Sequence, residues 1–262
     1  MDKSVNNFIE MDSFPFIPKK RLERRAQELI SAYETATGRP VKPPIPVEII
    51  LESHLGLGLE IADLKTLLDK KDVIGATWIP EKKVVIDSSL EQGPRGRFYF
   101  TVAHEIGHWV LHRELIQEMV MREDVRSAVV CRDSESRKSG EWQADYFAGA
   151  LLMPEGMLRE AVSRVLNAEK IEGNLEIINR PGGRRLGGLN GFFNLYAMPI
   201  IEEGGFGNVS SQAMRVRMQQ LGMFDLKEND HGPQPPASEG LQPGGAVDRR
   251  KKKSKVKKGA ES

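Results

Sequence analysis

Residues 101–112 read Thr101-Val-Ala-His-Glu-Ile-Gly-His-Trp-Val-Leu-His112. At the centre is His104-Glu-Ile-Gly-His108, two histidines four residues apart with a glutamate directly after the first. On a helix, side chains at i and i+4 leave the same face one turn apart. Two imidazoles so placed reach one zinc ion at bonding distances of about 2.0–2.1 Å. Glu105 lies roughly 100° round the helix from His104, beside the metal without being needed as a ligand. It can hold a water there, take its proton and pass it to a leaving amine. Val102, Ala103, Ile106, Trp109 and Val110 supply the apolar surroundings that a rigid, buried metal helix requires. The helical pattern runs from Arg97 to about Met121. The plain alternative is an accidental match on an ordinary helix.

A catalytic zinc takes three protein ligands and keeps one position open. Downstream candidates for the third are His112, Glu114 and Glu141. A metzincin would place a glycine at position 111 and a histidine at position 114. The chain has Leu111 and Glu114, which excludes that class. Glu141-Trp-Gln-Ala-Asp145 opens a second strong helix, Glu141–Leu152. In the gluzincin arrangement a Glu from a second helix completes the site, and an Asp one turn on orients a histidine ligand. Glu141 is assigned as the third ligand and Asp145 as the orienting partner, against a solvated helix-start carboxylate as the plainer alternative. Such a donor set accepts Mn2+ as well as Zn2+. His112 reads as an exposed helix-end histidine that can also donate to substrate, and His54 as structural. Cys131 reads as a plain thiol in a charged loop. Tyr99 and Tyr146 are unselected candidates for stabilising an oxyanion.

Around this centre the pattern implies an α+β fold. A zincin-like core spans 19–170, a helical C-terminal part 171–224, and a flexible arm (1–18) and a basic tail (225–262) flank them. Lys20–Thr37 has helical spacing, stopped by Gly38 and Pro40. Ile74–Ile79 and Lys83–Asp87 read as a hairpin turning at Pro80–Lys82. Lys83–Asp87 is the candidate edge strand for pairing with an extended substrate, a purely structural strand being the alternative. Residues 122–140 read as a charged loop and 171–207 as Gly-rich and irregular. A short helix follows, capped by Ser210 or Ser211 and ended by Gly222.

The 262 residues are 39% hydrophobic and 29% charged, ordinary for a chain with a real core. Net charge is +1, yet eight of the ten residues 249–258 are basic. Composition makes 225–262 too poor in apolar surface to fold. Its basic run allows salt-sensitive, non-specific contact with nucleic acid, or it is simply solvated. Cys131 is the one cysteine, so no intramolecular disulfide forms. No signal peptide and no run of about 18 apolar residues stands out. The expectation is a cytoplasmic protein without membrane contact.

Several segments together resemble the ImmA/IrrE metallopeptidases. KPPIPVEIILESHLGLGLEI resembles that family's proline-led helix and strand, and IGATWIPEKKVVID its hairpin. RFYFTVAHEIGHWVLHRE is similar to its metal helix, and EWQADYFAGALLMP to its second signature. FGNVSSQAMRVRMQQLGMF resembles its late helical segment, so the likeness spans about residues 20–224. The resemblance implies His104, His108 and Glu141 as metal ligands and Glu105 as the catalytic residue. It also implies a helix-turn-helix transcriptional repressor as the partner, cleaved to relieve repression. A metal-containing binding module that sequesters the repressor uncleaved is the alternative. The late segment, with Arg215 and Arg217, would dock the repressor or cap the domain.

Overall fold

The computed structural model describes residues 14–123, 128–132, 139–174 and 188–227. The first helix, α1 (Lys19–Thr37), buries Leu22, Ala26, Leu29 and Ile30 and stops as its sequence requires. Gly38 takes a left-handed φ of 66° and donates its backbone N–H to Glu34 O, a cap that glycine adopts without Cβ strain. A short turn, α2 (Val47–Ile49), runs into a π-helical turn at Ile50–His54.

Four strands make the main sheet: β1 (Gly58–Ala62), β2 (Val73–Trp78), β3 (Lys83–Asp87) and β4 (Ala128–Arg132). Their order is β1-β3-β2-β4. β1 runs parallel to β3, and β2 is antiparallel to both β3 and β4. The expected hairpin is β2–β3, closed with Trp78 opposite Lys83. Its alternation sorts the two faces. Val84 and Ile86 join the large core, whereas Ala76 and Val85 pack with Leu64 and Leu68 of the small helix α3 (Leu64–Leu68).

The long helix α4 (Arg95–Glu123) crosses the large-core face of the sheet. Every residue from Thr101 to Trp109 is buried, so this stretch is enclosed on all sides rather than amphipathic. The helix α5 (Ser139–Leu152) packs along it and against α1. Gly107 lets the two approach: a Cβ there would lie 3.1 Å from the Ala144 Cα. Phe147 of α5 is fully buried beside that contact, worth about 1.5–3 kcal/mol of apolar burial. The chain continues through α6 (Glu155–Leu166), β5 (Ile171–Asn174), α7 (Gly188–Gly204), α8 (Ser211–Gln220) and β6 (Phe224–Lys227). Ser210 caps α8 by accepting from the Ala213 amide at 3.1 Å, and Gly222 follows at φ 63°.

The α+β class with small sheets and a helical C-terminal part is therefore found. Local expectations differ in four places. The stretch 122–140 contains β4, because Ala-Val-Val-Cys finds the open edge of β2; Cys131 thus sits in a strand opposite Gly75. Lys83–Asp87 is not an edge strand, since β1 and β2 occupy both its sides. Residues 188–204, expected to be irregular, are helical despite Pro199. An interior proline costs about 3 kcal/mol. Burial of Phe192, Phe193 and Ile200 offsets it at about 1.5–3 kcal/mol each. Finally, β6 carries the folded chain to Lys227 by pairing parallel with β5, three residues into the segment assigned to the tail. The rest of that tail, most of the arm and residues 175–187 lie outside the described residues. Among the described residues no helix is long and apolar enough to cross a membrane.

Candidate metal centre

Helix α4 brings His104 and His108 to one face, and the start of α5 brings Glu141 up to them. The two Nε2 atoms are 2.8 Å apart. Glu141 Oε2 lies 3.2 Å from His104 Nε2, and Oε1 lies 3.5 Å from His108 Nε2. Two ligands of one tetrahedral zinc, each about 2.0–2.2 Å from it, sit roughly 3.3 Å apart. All three side chains are buried, and their ligand atoms fall within 4.8 Å of one another. They are placed closely enough to bind a metal ion. Of the three candidates for the third ligand, Glu141 joins the histidine pair, and His112 and Glu114 do not.

The neighbouring groups aim these donors. Asp145 Oδ1 accepts from His104 Nδ1 at 2.8 Å. That bond places the proton on Nδ1 and the lone pair on Nε2, toward the other ligands. His108 Nδ1 lies 3.2 Å from His112 Nδ1, and His112 Nε2 lies 3.3 Å from Gln143 Oε1. Glu105 is fully buried beneath strand β2. Thr77 donates its hydroxyl to Glu105 Oε2 at 2.6 Å. Glu105 Oε1 has no hydrogen-bond partner among the described residues, and neither has Glu141 Oε1. An unpartnered buried carboxylate oxygen costs about 1–3 kcal/mol. Two such oxygens beside three convergent ligand atoms fit a cation and its water.

Burial dominates the titration of the site. It pushes the Glu105 carboxyl up to about 7, against the opposing pull of His104 and the Thr77 hydroxyl. It holds His108 well below its ordinary range and His112 at about 4. Strand β2 approaches Glu105 closely at Gly75, where a Cβ would come within 2.4 Å of Oε1. Glycine is the one residue that fits there without displacing the carboxylate.

The structure thus brings together His104, His108, Glu141, Asp145 and Glu105 as the sequence suggested. It moves others. His112 is buried against His108 rather than exposed at a helix end. Tyr146 donates its hydroxyl to Glu23 at 2.8 Å, and Tyr99 packs edge-on to Phe98. Arg217 is buried in the domain and paired with Glu23, so it is not a surface docking residue. Gly75, Thr77 and Gln143 were missed. A trace of the first two was present: a small and a hydroxyl residue alternate in an otherwise apolar strand just ahead of the metal helix. A cleft of about 970 Å³ between α4, α5 and α8 reaches Asp145, with Arg97, Phe100 and Trp142 on its walls.

Two histidines one turn apart on one helix, with a glutamate from a second helix placed closely enough to share a metal ion, suit a metallopeptidase-like domain. Residues 64–172 match the IrrE N-terminal-like domain of the M78 peptidase family. All four residues of the metal and glutamate set fall inside the match. A solved structure described as a Mycobacterium tuberculosis transcriptional regulator is similar at TM-score 0.39 and 18% identity. The likeness covers 76% of this chain and 46% of that one, so the chain spans less than half the length of that regulator. No curated protein matches the sequence.

Proposed function

We propose that this protein is a zinc-dependent endopeptidase whose substrate is a helix-turn-helix transcriptional repressor. The observation that carries the peptidase reading is Glu105: buried, oriented by Thr77 through one oxygen, and unpartnered at the other beside the His104–His108–Glu141 triad. A purely structural site has no need of such a base. In this reading His104, His108 and Glu141 hold the ion, zinc or manganese. The ion supplies Lewis acidity, polarising the scissile carbonyl and bringing the pKa of water toward 7. Glu105 takes the proton of the attacking water at Oε1 and delivers it to the leaving amine. Thr77 holds Oε2 fixed, so the carboxylate need not reorient between the two transfers. The repressor as substrate is supported by the resemblance to the ImmA/IrrE proteins.

The test is incubation of the purified protein with zinc and a repressor-type partner encoded beside it, read by mass spectrometry. Wild type should give discrete fragments. Glu105→Gln should fold and bind metal but cleave about 10²–10⁴-fold more slowly. Undiminished cleavage by Glu105→Gln would sink the mechanism. A stable complex without fragments from either protein would favour sequestration of the partner.

A further inference from the structure

His112 was expected to be exposed, yet it is 3% exposed and lies in the core beside a metal ligand. A hydrocarbon would fill that space with no polar group to satisfy. The hydrogen bonds around it explain the imidazole. His108 Nε2 faces His104 Nε2 and Glu141, so Nε2 is the donor atom and Nδ1 carries the proton. That proton points at His112 Nδ1, 3.2 Å away, which must be the bare nitrogen. His112 therefore carries its own proton on Nε2 and donates it to Gln143 Oε1 at 3.3 Å. Gln143 in turn has both amide hydrogens used, one on Pro15 O at 3.0 Å and one on Ser139 Oγ at 3.0 Å. Each donor in this chain meets one acceptor. Reversing any member leaves two hydrogens or two lone pairs face to face.

We propose that His112 is a positioning residue that, through Gln143 and the Pro15 carbonyl, fixes His108 in the tautomer and orientation that bind the metal. The proposal rests on the metal-binding reading above. The chain is directional and neutral. Asp145 already orients His104, and Glu105 and Glu141 add two further carboxyl groups around one divalent ion. A fourth carboxyl group behind His108 would take the site past charge balance, whereas a second imidazole accepts the same proton without adding charge. The relay also reaches outside the metal helices. Pro15 belongs to the segment before α1, and Phe14 packs edge-on against His112 at 5.0 Å. Phe16 stacks on Trp142 of α5. Residues 14–16 thereby hold the far end of the relay in register with the metal site.

The experiment compares metal affinity in three full-length variants by chelator competition with zinc and by the visible band of the cobalt(II)-loaded protein. His112→Phe keeps the ring volume and removes the acceptor; the expected loss of affinity is about 10–100-fold, with a shifted cobalt band. His112→Asn places an amide oxygen near the position of Nδ1 and should recover most of that loss. Gln143→Met, near-isosteric but unable to accept from His112, should lose less than His112→Phe, and it carries the test should His112→Phe not fold. A His112→Phe protein that binds zinc as wild type does, or an Asn variant no better than Phe, overturns the proposal. Wild-type protein that binds neither metal overturns the metal reading itself, which separates the two failures.

Discussion

Two clusters of ionisable groups among the described residues are satisfied in opposite ways. In one, Arg217 on α8 is 1% exposed and places both terminal nitrogens on the Glu23 carboxylate of α1. Its Nε donates to Met153 O at 3.0 Å, and the Tyr146 hydroxyl of α5 donates to Glu23 at 2.8 Å. In the other, His104, His108, Glu105 and Glu141 are as deeply buried, but two carboxylate oxygens have no hydrogen-bond partner among the described residues. The first cluster closes on itself and joins α1, α5 and α8, so its role is structural. The second is completed, in the proposed reading, by a cation and its water. Buried polar groups are tolerated when every hydrogen bond is made. An unmade set in a well-packed core points to function, whereas burial alone does not distinguish the two.

The difference predicts unequal responses to mutation. Arg217→Ala leaves the half-buried Glu23 without its counter-charge, so the expected loss is about 3 kcal/mol of stability. Urea denaturation would measure it. A Glu23→Leu, Arg217→Met double variant should recover most of that loss, since apolar replacement of a whole buried pair is often neutral. A double variant as unstable as the single one would mean that the cluster does more than close the packing.

Metal should act on the other cluster alone. Zinc at about a hundred times its dissociation constant should raise the stability of metal-free protein by about 2.7 kcal/mol. Thermal melts with and without zinc would show the shift in wild type and in Arg217→Ala equally. Glu141→Ala should abolish it. A shift that survives in Glu141→Ala would place the ion elsewhere.

The smallest effect is on pH dependence, and its sign follows from the direction of each shift. Burial raises Glu105 to about 7, lowers His112 to about 4 and holds His108 well below its ordinary range. Between about pH 4.5 and 6.5 the unfolded chain holds protons on both histidines and none on Glu105. The folded, metal-free chain holds one on Glu105 and none on the two histidines. The unfolded state thus binds one proton more, and these groups make stability rise by about 1.4 kcal/mol per pH unit. Above about 6.5 the unfolded histidines and folded Glu105 lose their protons together, so the rise levels off near about pH 7. Urea midpoints of metal-free protein should rise and level off near about pH 7, and Glu105→Gln should about double the slope below about pH 6.5. An unchanged slope in Glu105→Gln would contradict the raised Glu105. The Glu23 carboxyl behaves differently: burial alone would raise it, but the Arg217 pairing and the Tyr146 hydroxyl hold it below its ordinary value. Its contribution is present above about pH 4.5 and is lost only in more acid solution.

The metal set was legible because its spacing follows from helix geometry. Two ligands one turn apart on α4 need nothing beyond the local backbone, and Glu141 and Asp145 repeat the same interval on α5. Gly38 and Gly222 marked helix ends for an equally local reason, the left-handed backbone each adopts. Other features were hidden because they depend on a neighbour distant in the chain. β4 is a strand only because β2 offers it an edge, and α7 survives Pro199 only because its apolar side chains have a core to enter. Thr77 reaches Glu105 across 28 residues, Gln143 reaches His112 across 31, and Arg217 reaches Glu23 across 194. The sequence by itself determined that His104 and His108 can share a metal ion, since that is a matter of donor type and helical interval, whereas the packing of α5 on α4 brought Glu141 to them. Only the tertiary structure decided which polar groups stand behind those donors and which carboxylate oxygens remain unpaired, since these are set by contacts between elements that no local pattern encodes.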